Sequence, residues 1–81
     1  MWWVYVLRCS DGSLYCGISN NVEKRLRDHN AGKGSRYVRS RRPAQLVFSL
    51  SFASKSEALK EEYRFKQLSK KKKEEIIADK N

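Results

Sequence analysis

Apolar residues recur along these 81 residues in two rhythms, one of strands and one of helices. Trp2 to Cys9 is a β-branched and aromatic run and predicts a strand. Leu14 to Ser19 predicts its hairpin partner. Ala44 to Phe52 alternates, with Leu46, Phe48, Leu50 and Phe52 on one face, and predicts a third strand. Elsewhere the spacing is helical. Asn20 is a natural N-cap with Glu23 three residues on, and the helix it opens runs from Asn21 to Ala31 and stops at Gly32. Val22 and Leu26 face inward on it, with Arg25 and His29 four apart along the edge of that face. Ser35 caps a short turn through Tyr37 and Val38, closed by the basic run and Pro43. Ser54 caps a helix from Lys55 to Leu68, and a last short helix docks Ile76 and Ile77 before a frayed end at Asp79-Lys80-Asn81. The predicted order is β-β-α-(α)-β-α-α, an α+β fold with a small three-stranded antiparallel sheet flanked by helices. Residues 1–81 read as a single domain.

The hairpin loop has the larger consequence. Ser10-Asp11-Gly12 fits a three-residue loop, a type I turn closed by a left-handed glycine. Cys9 and Ser13 then flank it, Leu7 falls opposite Tyr15, and Tyr5 falls opposite Gly17. Directly opposed residues share a face, so Tyr5 and Tyr15 project together, while Cys9 and Cys16 point to opposite faces and cannot pair. A two-residue Asp11-Gly12 turn would separate the tyrosines.

A second oddity sits in the long helix. Ala58, Leu59, Tyr63, Phe65 and Leu68 form an apolar stripe on a helical wheel, and Glu62 falls near its middle, with Glu57 and Glu61 nearer the edges or the polar side. A carboxylate aimed at a core is costly unless it is paired, hydrogen-bonded or holding a metal. Two readings stay open for Glu62: an ion pair with an inward-reaching arginine, or a metal ligand at the floor of a cleft.

Charge narrows the partners. The formal net charge is +9. Lys24, Arg25, Arg27, Lys33, Arg36, Arg39, Arg41 and Arg42 crowd one stretch against a single acid, Asp28, and Tyr37 stands among them. A concentrated arginine excess with an interleaved aromatic suits a polyanion, nucleic acid first. Arg27, Lys33, Arg36, Tyr37, Arg39, Arg41 and Arg42 are the expected contact residues. Two cysteines make no disulfide framework or zinc pattern, and no apolar run reaches membrane-spanning length, so a cytoplasmic protein that does not engage membranes is expected.

Val4-Tyr5-Val6, Tyr15-Cys16-Gly17, Arg25 within Lys24-Arg25-Leu26, His29 and Glu62 within Glu57-Ala58-Leu59-Lys60-Glu61-Glu62-Tyr63 together resemble the GIY-YIG nuclease family. The resemblance runs from Trp3 to about Ile77. It is nearest to the small stand-alone bacterial (YhbQ-like) members, in Ser10-Asp11-Gly12-Ser13-Leu14-Tyr15 and Asn30-Ala31-Gly32-Lys33-Gly34. Val4 replaces a glycine of the first triplet and Cys16 an isoleucine of the second. The asparagine that several members carry beyond the catalytic helix has no counterpart in Lys71 to Glu75.

That resemblance implies a metal-dependent endonuclease that hydrolyses phosphodiester bonds in DNA, in repair or recombination. Tyr5, Tyr15, Arg25, His29 and Glu62 would be the catalytic set. Glu62 would hold one Mg²⁺ or Mn²⁺ ion, and Arg25 would meet charge on the non-bridging oxygens. Tyr5 would activate or position water with Tyr15 hydrogen-bonding beside it, His29 would share acid–base work, and Gly17 would allow close approach. Many relatives attach a target-recognition domain beyond this region. Substrate choice is therefore expected from DNA shape, from a protein partner, or from little selection at all, with RNA left open. The alternative class is a non-catalytic basic nucleic-acid-binding module that kept the nuclease fold.

Overall fold

The computed structural model describes residues 1–80. Asn81, part of the expected frayed end, lies outside them. The strands are β1 (Trp2–Arg8), β2 (Leu14–Ser19) and β3 (Gln45–Phe52), and the helices are α1 (Val22–Asn30), α2 (Arg36–Arg39), α3 (Lys55–Lys66) and α4 (Lys70–Lys80). The sheet is antiparallel in the order β2-β1-β3, with the tyrosine strand β1 at its centre and β2 at an edge.

The turn sets the hairpin register. Cys9 and Ser13 pair across the loop (Cys9 N–H to Ser13 O, 2.8 Å), and Gly12 takes a φ of 85°, in the left-handed region that favours glycine. Leu7 pairs with Tyr15 and Tyr5 with Gly17, as the three-residue loop predicts. The sheet therefore has two unlike faces. Val4, Val6 and Cys16 pack beneath Ala58 and Phe65 of α3 and Ile77 of α4. Tyr5, Leu7 and Cys9 pack with Val38 and Ala44, and Tyr15, Val22 and Leu26 close over them. Cys9 and Cys16 are free thiols on opposite faces.

Three local readings change. The α1 N-cap is Asn21, not Asn20, because Ser19 Oγ accepts the Asn21 N–H (2.9 Å) and turns the chain one residue later. The Asn21 side chain then accepts from Lys24 N–H (3.1 Å), which leaves the expected Asn20–Glu23 capping box unformed. In β3 a bulge pairs Leu46 with Leu7 and Phe48 with Val6, leaving Val47 between them. Leu46 thus turns to the tyrosine face, while Phe48, Leu50 and Phe52 oppose Val6, Val4 and Trp2. On α3, Ala58 and Phe65 are buried, but Leu59 and Tyr63 point to solvent. The inward face runs Ala58, Glu61/Glu62, Phe65, Leu68, one turn apart, because the sheet lies under that line.

Three long-range clamps tie the elements together. Asn30 at the close of α1 binds both backbone groups of Ala44, donating from Nδ2 to its carbonyl (3.0 Å) and accepting its N–H at Oδ1 (2.7 Å). Arg8 meets Glu74 of α4 with two parallel bonds of 2.7 and 2.6 Å, and Lys70 Nζ donates to the Gly12 carbonyl (2.7 Å).

Candidate active site

Tyr5 and Tyr15 lie on one face, ring centroids 6.4 Å apart, and His29 of α1 lies against both at 6.0 and 5.1 Å. Tyr5 and His29 are essentially inaccessible. Their polar atoms meet each other: Tyr5 Oη and His29 Nε2 are 3.0 Å apart. The Ser35 N–H donates to His29 Nδ1 (3.3 Å). A nitrogen that accepts carries no proton, so the neutral ring keeps its hydrogen on Nε2 and donates it to Tyr5. The Tyr5 O–H is then free to donate onward. Burial is the main force holding the His29 imidazole below its ordinary 6.5; the charge of Arg25 adds to it and Asp28 opposes both.

The helix spacing places His29 at an edge of the inward face, but in the structure it is a core residue with both ring nitrogens engaged within the protein. Two glycines make room for it and for Tyr5. A Cβ on Gly34 would stand 2.7 Å from His29 Cε1 and 2.8 Å from Cγ, and one on Gly17 would stand 2.7 Å from Tyr5 Oη. Gly34 and Ser35 were not anticipated as site residues. Their only trace in the sequence is a small-residue pair following the helix that carries His29.

The lowered His29 value fixes a pH dependence. Protonation is easier in the unfolded chain, so this contribution to stability is present above the unfolded pKa and is lost as pH falls through the folded one. The melting temperature of the protein should fall as pH drops from about 7 through the ordinary histidine value of 6.5. His29→Gln, whose amide can still donate to Tyr5, should be flat over that window. Asp11, Asp28 and Glu74 are also held below their ordinary values by hydrogen-bonded partners, but those values are 3.8, 3.8 and 4.5, so their losses come at lower pH.

Arg25 is half-buried beside the same cluster and pairs with Asp28 at 3.9 Å. Its guanidinium pulls the Tyr5 phenol down, but burial and the neighbouring Tyr15 outweigh it, so Tyr5 is raised above 10.0 and stays protonated at neutral pH. A phenol so placed is a hydrogen-bond donor rather than a base. The Tyr15 hydroxyl, by contrast, makes no hydrogen bond among the described residues and stands half-buried at the mouth. Tyr37 lies nearly parallel to its ring (27°, 6.3 Å).

Glu62 stands apart from this cluster. It stands on α3, which covers the Val4/Val6/Cys16 face, and among the described residues no hydrogen bond or ion pair joins it to Tyr5, Tyr15, Arg25 or His29. The two sides approach each other around the edge strand β2. Tyr15 looks toward His29, and the adjacent Cys16 looks toward Glu62, whose charge adds to burial in pushing that thiol up to about 12. The Glu62 side chain is 19% exposed and among the described residues pairs only with Lys66, at 3.3 Å. Of the two open readings, the ion pair is made with Lys66 rather than with an inward-reaching arginine, and the metal-ligand reading stays a proposal. Glu61, at 23%, is almost as enclosed but is held by two bonds from Arg64.

A hard divalent ion suits this donor set. No group of three His, Cys, Asp or Glu gathers among the described residues, and one carboxylate whose partner is a half-exposed lysine leaves the remaining positions to water and phosphate.

The basic stretch divides into two kinds. Arg41 is committed to the fold: Nε bonds Asp11 (3.2 Å), Nη1 bonds the Tyr37 carbonyl (2.8 Å), and the guanidinium lies 3.9 Å over the Tyr37 ring. Arg42 likewise donates to the carbonyls of Arg39 (2.9 Å) and Asn30 (3.3 Å). The side chains of Arg27, Lys33, Arg36 and Arg39 are exposed and make no hydrogen bond or ion pair among the described residues.

The model of the GIY-YIG catalytic domain matches residues 1–75. The chain belongs to the GIY-YIG family. Within this nuclease family it is similar to the UPF0213 proteins. It is 55% identical to one from Bacillus velezensis over 94% of this chain and 77% of that protein. It is 49% identical to the UPF0213 protein YazA of Bacillus subtilis over 94% of this chain and 77% of the other. The solution NMR structure of a UPF0213 protein from Bacillus halodurans superposes with a TM-score of 0.62 at 44% identity, covering 96% of this chain and 84% of that one. GIY-YIG nucleases are generally metal-dependent and act on nucleic acid. No helix among the described residues is long and apolar enough to cross a membrane.

Proposed function

We propose that this chain is a metal-dependent DNA endonuclease that hydrolyses phosphodiester bonds. One observation carries the reading: Tyr5, Tyr15, His29 and Arg25 cluster on one face of a hairpin whose register and glycines leave them little freedom. In hydrolysis a water oxygen forms a new bond to phosphorus, the ester P–O bond breaks, and a proton ends on the leaving oxygen. Arg25 lies where it can meet negative charge as it builds on the non-bridging oxygens, in a half-buried setting that strengthens the attraction. Tyr15 offers the accessible hydroxyl for holding the attacking water. Tyr5 supports it from behind as a donor, and His29 is a positioning residue that fixes Tyr5. Glu62 is the residue suited to hold Mg²⁺ or Mn²⁺, which when bound supplies Lewis-acid polarisation of the phosphoryl group.

Arg27, Lys33, Arg36 and Arg39 form the free basic face that docks phosphates, without a base-reading element. If about five phosphates are neutralised, log affinity should fall with log salt at a slope of roughly −4 to −5. Replacing these four residues with glutamine should flatten the slope and weaken binding alike on unrelated sequences. Arg25→Ala should cut the rate by about a hundred- to a thousand-fold and change affinity far less, since its charge matters most in the transition state. Plasmid, single-stranded, flapped and branched DNA incubated with Mg²⁺ test the reading directly. No product on any of them would leave a non-catalytic binding module, and equal binding losses for Arg25→Ala and the four-residue variant would reduce Arg25 to a docking role.

A further inference from the structure

A groove of about 260 Å³ runs along the β2 edge, where the tyrosine side of the sheet and the α3 side come together. Leu14, Tyr15, Cys16, Tyr37 and Phe65 line it, and Lys66 and Lys73 complete the lining. No acid lines it. The volume is below that of pockets for drug-sized ligands and suits one flat ring system. Tyr37 is 39% exposed and lies nearly parallel to Tyr15; the Arg41 guanidinium covers one face of its ring, and both tyrosines line the groove from outside that contact. Lys73 forms no ion pair among the described residues; its ammonium sits 5.8 Å from the Phe65 ring centroid. Lys66 is the partner of Glu62.

We propose that this groove binds one unstacked nucleobase of the DNA strand, stacked on the Tyr15–Tyr37 pair, with Lys66 and Lys73 on its flanking phosphates. An apolar aromatic surface with cations beside it is what an unpaired nucleotide needs: a π-face to stack on and charge for its backbone. Bases of an intact duplex are already stacked on their neighbours and cannot enter without leaving the helix. The substrate class is therefore DNA with an unpaired nucleotide next to the cleaved phosphate: a single strand, a flap or a frayed junction. The inference rests on the nucleic-acid reading above but not on cleavage.

The experiment uses metal-free protein and an oligothymidylate carrying one central 2-aminopurine, whose emission is quenched when it stacks. Binding to the parent should quench the emission, and the same base within a closed duplex should show no further quenching. Tyr37→Leu should lose the quench and bind the strand about five- to a hundred-fold more weakly, the range that loss of one base–aromatic stack gives; Tyr37→Phe should keep both. Lys73→Gln, on the opposite wall and away from Tyr37, should weaken binding while retaining the quench at saturation. Unchanged emission on binding to the parent, or equal quenching by parent and Tyr37→Leu, overturns the proposal. If the quench is found but no DNA is cut, the base site stands and the nuclease reading fails. If DNA is cut without any quench, the reverse holds.

Discussion

Glu62→Gln should abolish DNA cleavage while leaving the fold and most of the DNA affinity in place. The amide keeps the size and the partial burial of the side chain, and the ion pair it loses, with half-exposed Lys66, contributes little to stability. What it removes is the negative charge that a hard divalent ion requires. A drop of at least about a thousand-fold is the scale expected when electrostatic stabilisation of a phosphoryl transition state is lost. Glu61→Gln is the informative control. Glu61 is nearly as enclosed and one residue away, but it is held by Arg64. That variant should cut at close to the parental rate. Cleavage by Glu62→Gln at the parental rate would remove the metal assignment, and equal losses for both variants would point to the helix rather than to one carboxylate.

The second large effect is steric. Gly17→Ala and Gly34→Ala each push a methyl group into a ring that cannot retreat, since Tyr5 and His29 are buried and bonded to each other. Overpacking of this kind costs about 1–3 kcal/mol, and in a domain of this size that lowers the melting temperature by roughly 4–20 °C. Because both methyls displace the same hydrogen-bonded pair, the double variant should lose less than the sum of the singles. Gly12→Ala separates this from backbone effects. Gly12 needs its left-handed φ of 85° but has nothing within 4 Å of an added Cβ, so it should cost only the conformational strain of about 1–2 kcal/mol, with cleavage retained. Calorimetry on the four variants reads the difference. A Gly17→Ala protein that melts with the parent would mean that the Tyr5 ring is not confined.

These two sets of residues differ in how visible they were beforehand. The shared face of Tyr5 and Tyr15 was legible because a three-residue loop closed by glycine fixes register through local geometry. The α3 cap at Ser54 was legible for the same reason, its side chain accepting from Glu57 N–H. What required the tertiary structure was direction. The helical wheel grouped Leu59 and Tyr63 with the core, but the sheet lies under the line through Ala58 and Phe65 instead. The bulge at Val6/Leu7 reverses the phase of β3 part-way, which no alternation within β3 announces. His29 is buried because Gly34 and Ser35 fold back onto it, and a lone histidine at helical spacing carries no sign of that. Arg41 and Arg42 looked like free cations because a sequence shows charge but not the carbonyls of Tyr37, Arg39 and Asn30 that hold them.

The bond between Arg8 and Glu74 also sets an order of events in time. Arg8 ends the strand that carries Tyr5, and its partner is 66 positions later in the chain. The other side of the same strand waits for β3, and the carbonyl of Gly12, in the turn that sets the tyrosine register, waits for Lys70. During synthesis the hairpin is made first, yet three of the hydrogen bonds that hold it come from α4, the last element. A ribosome-bound fragment stopping before α4 would carry Tyr5, Tyr15, Arg25, His29 and Glu62 and the β3 pairing, but not the Arg8–Glu74 and Lys70–Gly12 bonds that brace the far end of the hairpin. Such a distribution of distant contacts favours slow, all-at-once folding over piecewise assembly.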